Sequence, residues 1–491
     1  MAHLTNEDVS ATNMTQSAVA NIGVNHWSSP FINKLPAEVL GLIMQIVVSY
    51  ASCCKKANSL SKESQGLRYP DVLTHVCSHW REVALRSRSL WSHIDILISG
   101  TPGIRAMTFL DRVGQSPVGL HLFEDRETQG GSPAPFEFLT PTKLRLKSLE
   151  LFVRSGVLNG SCASTLSICL ATCTTGYLAE LVIRKVDPRL RPPRPKKPIF
   201  IKAHNHPTEI TPSTPVIEPA YMVLDLPHER LEDVLRSTVV LRLDQIYPQW
   251  TSNAYCGLVE LRLLGGLEVN ATIPEFQLVN ILRSSPSLRV LHFELGIVDV
   301  APLGTAIDNL IVLCNLEMMN LKWMQDDGIE IFFRWFAPAP KLFQFSLLPS
   351  DEDMDFEHPA TVAFLTGSNI TTIHANQLYP KEIVGLVGHC RHIRVLALKA
   401  TDIKDAGGAV PFQVNTLYLI DCEYDADSLS RFIQIYSVQK LVVYESGFRS
   451  GRLTKLFPDE APVALTELCS DILILPGNGP DPVEGWEAFW H

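Results

Sequence analysis

The sequence predicts an α/β chain in which a small helical domain precedes a long array of repeated strand-and-helix units. Two patterns carry that prediction: an apolar helical block followed by an amphipathic one in the first hundred residues, and a short apolar motif that recurs through the remaining four hundred. Composition agrees, because 491 residues with 46% hydrophobic content are too many and too apolar for a disordered chain or a disulfide mini-protein. The formal charge of −10 argues against a nucleic-acid binder, which needs a basic face for phosphate.

Residues 1–30 contain no basic run followed by an apolar stretch and read as a disordered polar leader rather than a secretory signal. Domain one is expected over 31–98. From Asn33 the chain reads NKLPAEVLGLIMQIVVSY, where Pro36 suits a first helical turn and Glu38 sits where the helix dipole favours an anion. The spacing predicts a helix over about 36–49. Its polar residues Glu38, Gln45 and Ser49 form one narrow stripe, while Val39, Leu40, Leu42, Ile43, Ile46 and Val47 cover most of the rest, so the helix must be covered on more than one side.

After the polar segment 51–69, Pro70 and Asp71 predict a helix start. Val72, Val76, Trp80, Val83 and Ser87 then follow at spacings of four, four, three and four, the apolar face of one amphipathic helix. His75, His79, Glu82 and Arg86 occupy the opposite, solvated face, with Glu82 and Arg86 in the favourable order. His75, Cys77 and His79 are candidate metal ligands by residue type. No Glu follows His75, so the HExxH pattern is absent, and Cys77 lies off the histidine face, where it is expected to pack as a small apolar group.

These residues resemble the F-box family. Leu35-Pro36-Ala37-Glu38-Val39-Leu40 with Ile43, then Val76-Cys77-Ser78-His79-Trp80-Arg81-Glu82-Val83-Ala84, then Leu90-Trp91-Ser92 look like the family's three linked blocks in order. The departure is the segment of about twenty residues between the first two blocks, an expansion common in the fungal F-box proteins that the chain resembles in layout. The resemblance implies docking to the Skp-family adaptor, and through it to a cullin. The adaptor-facing positions would be Leu35, Pro36, Val39 and Ile43, with Val76, Trp80, Val83, Leu90 and Trp91 shared between core and interface.

Beyond residue 98 the pattern Φ-x-x-Φ-x-Φ, Φ being apolar, recurs at 146–151, 178–183, 258–263, 288–293, 316–321, 342–347, 370–375, 393–398, 414–419 and 438–443. From 258 onward the starts are 30, 28, 26, 28, 23, 21 and 24 residues apart, the period of a leucine-rich repeat. Each copy predicts a short strand, several preceded by a helix such as FQLVNILRSSPS or PKEIVGLVGHCRH, and the units must stack because none can bury its own apolar face. Weaker copies at TVVLRL and SDILIL extend the array, and LWSHIDI and PVGLHL begin it. Regular repeats place Asn or Cys three residues past the last apolar position. Here only Cys422 matches, against Gly266, Gly296, Met324, Ser350, Leu378, Thr401 and Ser446, so an irregular leucine-rich-repeat solenoid is expected over 99–476. A general α/β domain whose strands share a pattern is the alternative.

Residues 187–219, including RPPRPKKP, are too proline-rich for regular sheet or helix and read as an exposed insertion: a plain loop, a polyproline ligand or a local patch for an anionic partner. The acidic run DEDMDFE at 351–357 reads as a solvated loop, and 477–491 as a C-terminal tail. No GxSxG, GxxxxGK(S/T), GxGxxG or paired CxxC occurs, and HCRH and HNH are short and isolated. The reading is therefore a non-catalytic substrate-receptor subunit of a cullin-type ubiquitin ligase, with no cofactor, metal, nucleic acid or membrane. Its partners are the adaptor and an unknown target protein, and its expected location is the cytoplasm or nucleus. A repeat scaffold outside any ligase is the alternative.

Overall fold

The computed structural model describes residues 31–50, 70–98, 104–124, 144–153, 160–185, 198–204, 220–265, 271–302, 309–324, 328–349, 354, 356–403, 413–424, 426–444, 447–450, 452–455, 469–475, 482–483 and 486. The leader 1–30, the segment 51–69, Arg191 to Lys197 of the proline-rich stretch and most of DEDMDFE lie outside the described residues. The chain divides into two compact units, Met1–Leu90 and Trp91–His491.

In the first unit, helix α1 spans Ala37–Tyr50 and helix α2 spans Ser78–Arg86. Pro36 supplies the carbonyl that opens α1, accepting from the Leu40 amide at 3.0 Å. Leu40, Met44, Val83 and Ala84 form the buried face of this pair. At Gly41 an added Cβ would stand 3.5 Å from Ser87 Oγ and 3.9 Å from Val83 Cγ1, which fixes the side of α1 that meets α2. Gln45 Nε2 donates to Ser89 Oγ at 2.5 Å.

The single helix expected from Asp71 to Ser87 is broken. Asp71–His75 is a 3₁₀ helix, and Cys77 is extended at φ −157°, ψ 174°. Cys77 is the N-cap of α2, its Sγ accepting from the Trp80 amide at 3.4 Å, so it acts as a cap rather than an apolar filler. Because the backbone changes conformation there, spacings of four across residue 77 do not hold one face. Leu73 is buried, whereas Val76 is 54% exposed, contrary to the inward position its spacing predicts.

The second unit is built on a fourteen-stranded sheet whose strands follow chain order and pair in parallel throughout. Numbered along the chain, these are β1 His93–Leu97, β2 Val118–Phe123, β3 Leu146–Val153, β4 Glu180–Lys185, β5 Val240–Asp244, β6 Glu260–Leu264 and β7 Val290–Phe293. They continue with β8 Met318–Met324, β9 Phe343–Pro349, β10 Ile370–Asn376, β11 Val395–Lys399, β12 Thr416–Ile420, β13 Lys440–Tyr444 and β14 Asp471–Leu475. Each strand falls on one of the segments picked out by the recurring apolar motif or its weaker copies. The α/β class is as predicted, with a long parallel sheet.

Parallel neighbours need a crossover, and helices such as Glu275–Arg283 and Pro380–His389 lie in the connections. Alternate strand residues make the core: Leu241, Leu261, Leu291, Met319, Phe345, Ile373, Leu396, Leu417 and Leu441 are all 0% exposed. Helix side chains complete it, as where Phe333 stacks on Phe364 at 4.4 Å.

One turn repeats at the strand ends. Gln245, Gln377, Ala400 and Asp421, each the residue after β5, β10, β11 and β12, take positive φ of 63°, 59°, 49° and 52°. Their amides donate to the last carbonyl of the next strand, on Leu264, Lys399, Ile420 and Tyr444, at 2.9 to 3.0 Å. Cys422, the single repeat-position match, is buried and its thiol donates to the Leu398 and Ile420 carbonyls at 3.2 and 3.4 Å.

Within the proline-rich stretch, Ile199–Ala203 is a strand, which corrects the expectation of no regular structure. It pairs in parallel with Ala220–Leu224 and Ile246–Pro248. IFIKA carries no proline, so all its amides can join a ladder; the averaged composition of the segment hid it.

Candidate docking surface

The helix that bears LPAEVL has two apolar sides. Leu40 and Met44 turn inward and are 0% exposed, while Val39, Leu42 and Ile46 are 44%, 57% and 47% exposed. Positions 39, 42 and 46 recur at three and four residues and therefore share one strip of the helix surface. Pro36 is exposed at its head, and Leu35 and Ile43 are half-buried beside it. The charged face of α2 carries the Glu82–Arg86 ion pair at 2.8 Å, with both side chains exposed.

Of the positions assigned to docking, the structure therefore gathers Leu35, Pro36, Val39 and Ile43 on α1 and the turn before it. Val76 is exposed but lies outside α2, and Trp80 is half-buried. Val83 and Leu90 are buried in the first unit. Trp91 belongs to the core of the second unit: it is 0% exposed, meets Phe109 edge-to-face at 4.9 Å and lies 4.0 Å beneath the Arg112 guanidinium. Sequence reasoning did not assign Leu42 and Ile46 to docking, although their spacing from Val39 and Ile43 was visible.

A second concentration of polar chemistry lies on the face of the sheet opposite the aliphatic core. In register across β1 to β12 run Asp95, His121, Glu150, Val182, Arg242, Arg262, His292, Asn320, Ser346, His374, Ala397 and Tyr418. Glu260 holds Arg242 through two bonds of 2.5 and 3.1 Å and also accepts from Arg262 Nε at 2.5 Å. Burial alone would raise the Glu260 pKa, but the hydrogen bonds and charges of the two arginines outweigh it and hold the carboxyl below its usual range. His292 Nε2 donates to Glu294 at 2.7 Å, and Lys322 Nζ stands 3.3 Å from the same oxygen. Burial pulls the imidazole of His292 below its ordinary pKa, so it donates as a neutral ring. These groups pair charge between neighbouring strands.

Buried thiols are poor nucleophiles here. Burial pushes Cys162, Cys169 and Cys422 up to about 12 and Cys173 to about 11, so they stay protonated at neutral pH. Among the described residues no group of three His, Cys, Asp or Glu is placed to hold a metal ion, and no helix is long and apolar enough to cross a membrane. No protein-family model and no curated protein matches the chain.

Proposed function

We propose that the chain is the substrate-receptor subunit of a cullin-type ubiquitin ligase. The first unit is the F-box-like domain and docks on the Skp-family adaptor. The second is an irregular leucine-rich-repeat solenoid that presents a surface to a target protein, and ubiquitin transfer is carried out by other subunits. The observation that carries the reading is the α1 strip: the helix bearing LPAEVL leaves Val39, Leu42 and Ile46 exposed although its other side is packed. An apolar strip of this kind on so small a unit suits a protein partner. The chain-order parallel sheet and its repeated strand-end turn support the solenoid.

The test is binding of the purified full chain to purified Skp adaptor by calorimetry. Wild type is expected to bind with a dissociation constant of about 1 μM or tighter, and Val39→Asp at least about tenfold more weakly. Absence of binding by wild type at tens of micromolar sinks the receptor reading. The burial of Trp91 in the second unit favours a second reading, a repeat scaffold outside any ligase. Co-purification from cells with a stable partner but neither adaptor nor cullin would select it.

A further inference from the structure

The polar face of the sheet is covered near its far end by a short turn from much later in the chain. Trp486 stacks on His374 of β10 at 4.5 Å and 20°, and meets Tyr418 of β12 edge-on at 5.0 Å and 72°. Between those rings the register places Ala397 of β11, whose side chain is a single methyl. Two strand spacings are about 10 Å, and an indole with neighbours at 4.5 and 5.0 Å fills that width. Large aromatic, small, large aromatic in register thus makes a slot for one flat ring. Beside it, Val483 is 0% exposed in a cluster with Ile420, Tyr444, Tyr418 and Leu475. The Trp486 amide donates to the Val483 carbonyl at 2.9 Å, so a turn sets the separation of the two anchors.

This contact is not an end cap of the sheet. The strand order β10-β11-β12-β13-β14 puts His374 four strands in from the last one, about 19 Å across the face. The packing is also chemically specific. Burial lowers the pKa of His374 to about 3, leaving a neutral ring for the indole to stack on, and Ser346 Oγ lies 3.1 Å from its Nδ1. Trp486 keeps part of its surface exposed, so it is seated in the slot without being sealed into the core.

We propose that this part of the sheet face is a peptide-recognition site for a turn bearing an aliphatic residue and, three positions later, a tryptophan. The chain's own Val483 and Trp486 fill it in cis, and a partner protein presenting the same pair binds by displacing them. The inference concerns the second unit alone and does not rest on adaptor docking.

The experiment uses the full chain and a fluorescein-labelled synthetic peptide of residues 476–491, read by fluorescence anisotropy without any adaptor. Trp486→Ala in the protein empties the slot, so this variant should bind the peptide at least about tenfold more tightly than wild type, whose slot is occupied. A peptide with alanine in place of that tryptophan should lose the gain. Val483→Ser, a smaller change at the second anchor, should give the same ordering, and circular dichroism should show both variants folded. Equal binding by wild type and variants, or no binding by any, would overturn the proposal. So would loss of the folded state in both variants, because the turn would then be a fixed part of the fold.

Discussion

Along the sheet of the second unit Leu291, Phe345, Leu396 and Leu417 are 0% exposed, whereas on α1 of the first unit Val39, Leu42 and Ile46 stand at 44%, 57% and 47%. Both regions are comparably apolar in sequence. The difference lies in what the surrounding chain supplies. Each strand of the array has a parallel neighbour on either side, edge strands excepted, and helices lie in several of the connections, so stacking covers what one unit cannot. The first unit has α2 and little else among its described residues to cover α1, and small folds bury a smaller share of their surface.

The largest effect should come from breaking the covered side. Leu396, on β11, is 0% exposed, and Leu396→Ala should cost about 3 kcal/mol through lost burial and the cavity left behind. Chemical denaturation checks this. A loss below about 1 kcal/mol would mean that the aliphatic face is not the packed core that its burial indicates.

A smaller effect should come from the opposite face of the same sheet, where Glu260 sits between Arg242 and Arg262. Glu260→Gln leaves two guanidinium groups with less compensation and should destabilise by about 2 kcal/mol, below the range for a fully buried pair because Arg242 keeps 26% of its side-chain surface exposed. The pH dependence has a definite sign. The folded pKa is depressed, so the carboxylate's contribution is complete above the unfolded pKa of about 4.3 and is lost as pH falls through the folded value. The gap in melting temperature between wild type and variant should therefore be full at pH 6 and shrink below about pH 4. A gap that did not change over that interval would show that Glu260 contributes through shape and not charge.

Much of this was legible in the residues, and the exceptions have identifiable causes. The strands could be read because Φ-x-Φ alternation is the direct imprint of a sheet with one aliphatic face. The identity of the second face could not, because period two marks Arg262, His292 and His374 as pointing away from the core, which suggests solvent, yet they are 9%, 4% and 1% exposed. Their burial depends on neighbours across strands and, for His374, on Trp486 more than a hundred residues away. At Cys77 a one-residue switch to extended backbone shifted the phase of the helix, and helical spacing has no means of registering that. On α1 the pattern gave two apolar sides, and both are there, one packed and one exposed; Leu42 and Ile46 fall on the exposed strip by helical spacing, whereas the F-box pattern marks only Val39 and Ile43 of this helix.

The smallest effect on stability should be the most informative about the first unit. Leu40 and Leu42 are two residues apart on α1, with exposures of 0% and 57%. Leu40→Asp would place a carboxylate in the packed face against α2 and should unfold the unit. Leu42→Asp places the same charge on the exposed strip, where substitutions ordinarily stay within about 0.5 kcal/mol. If that strip is an interface, the aspartate must be desolvated when the adaptor docks, and affinity should fall at least about tenfold with the melting temperature unchanged. Unchanged affinity in a folded Leu42→Asp protein would show that the adaptor uses another surface. A large loss of stability would show that the strip is covered by the chain itself, and the contrast between the two units would disappear.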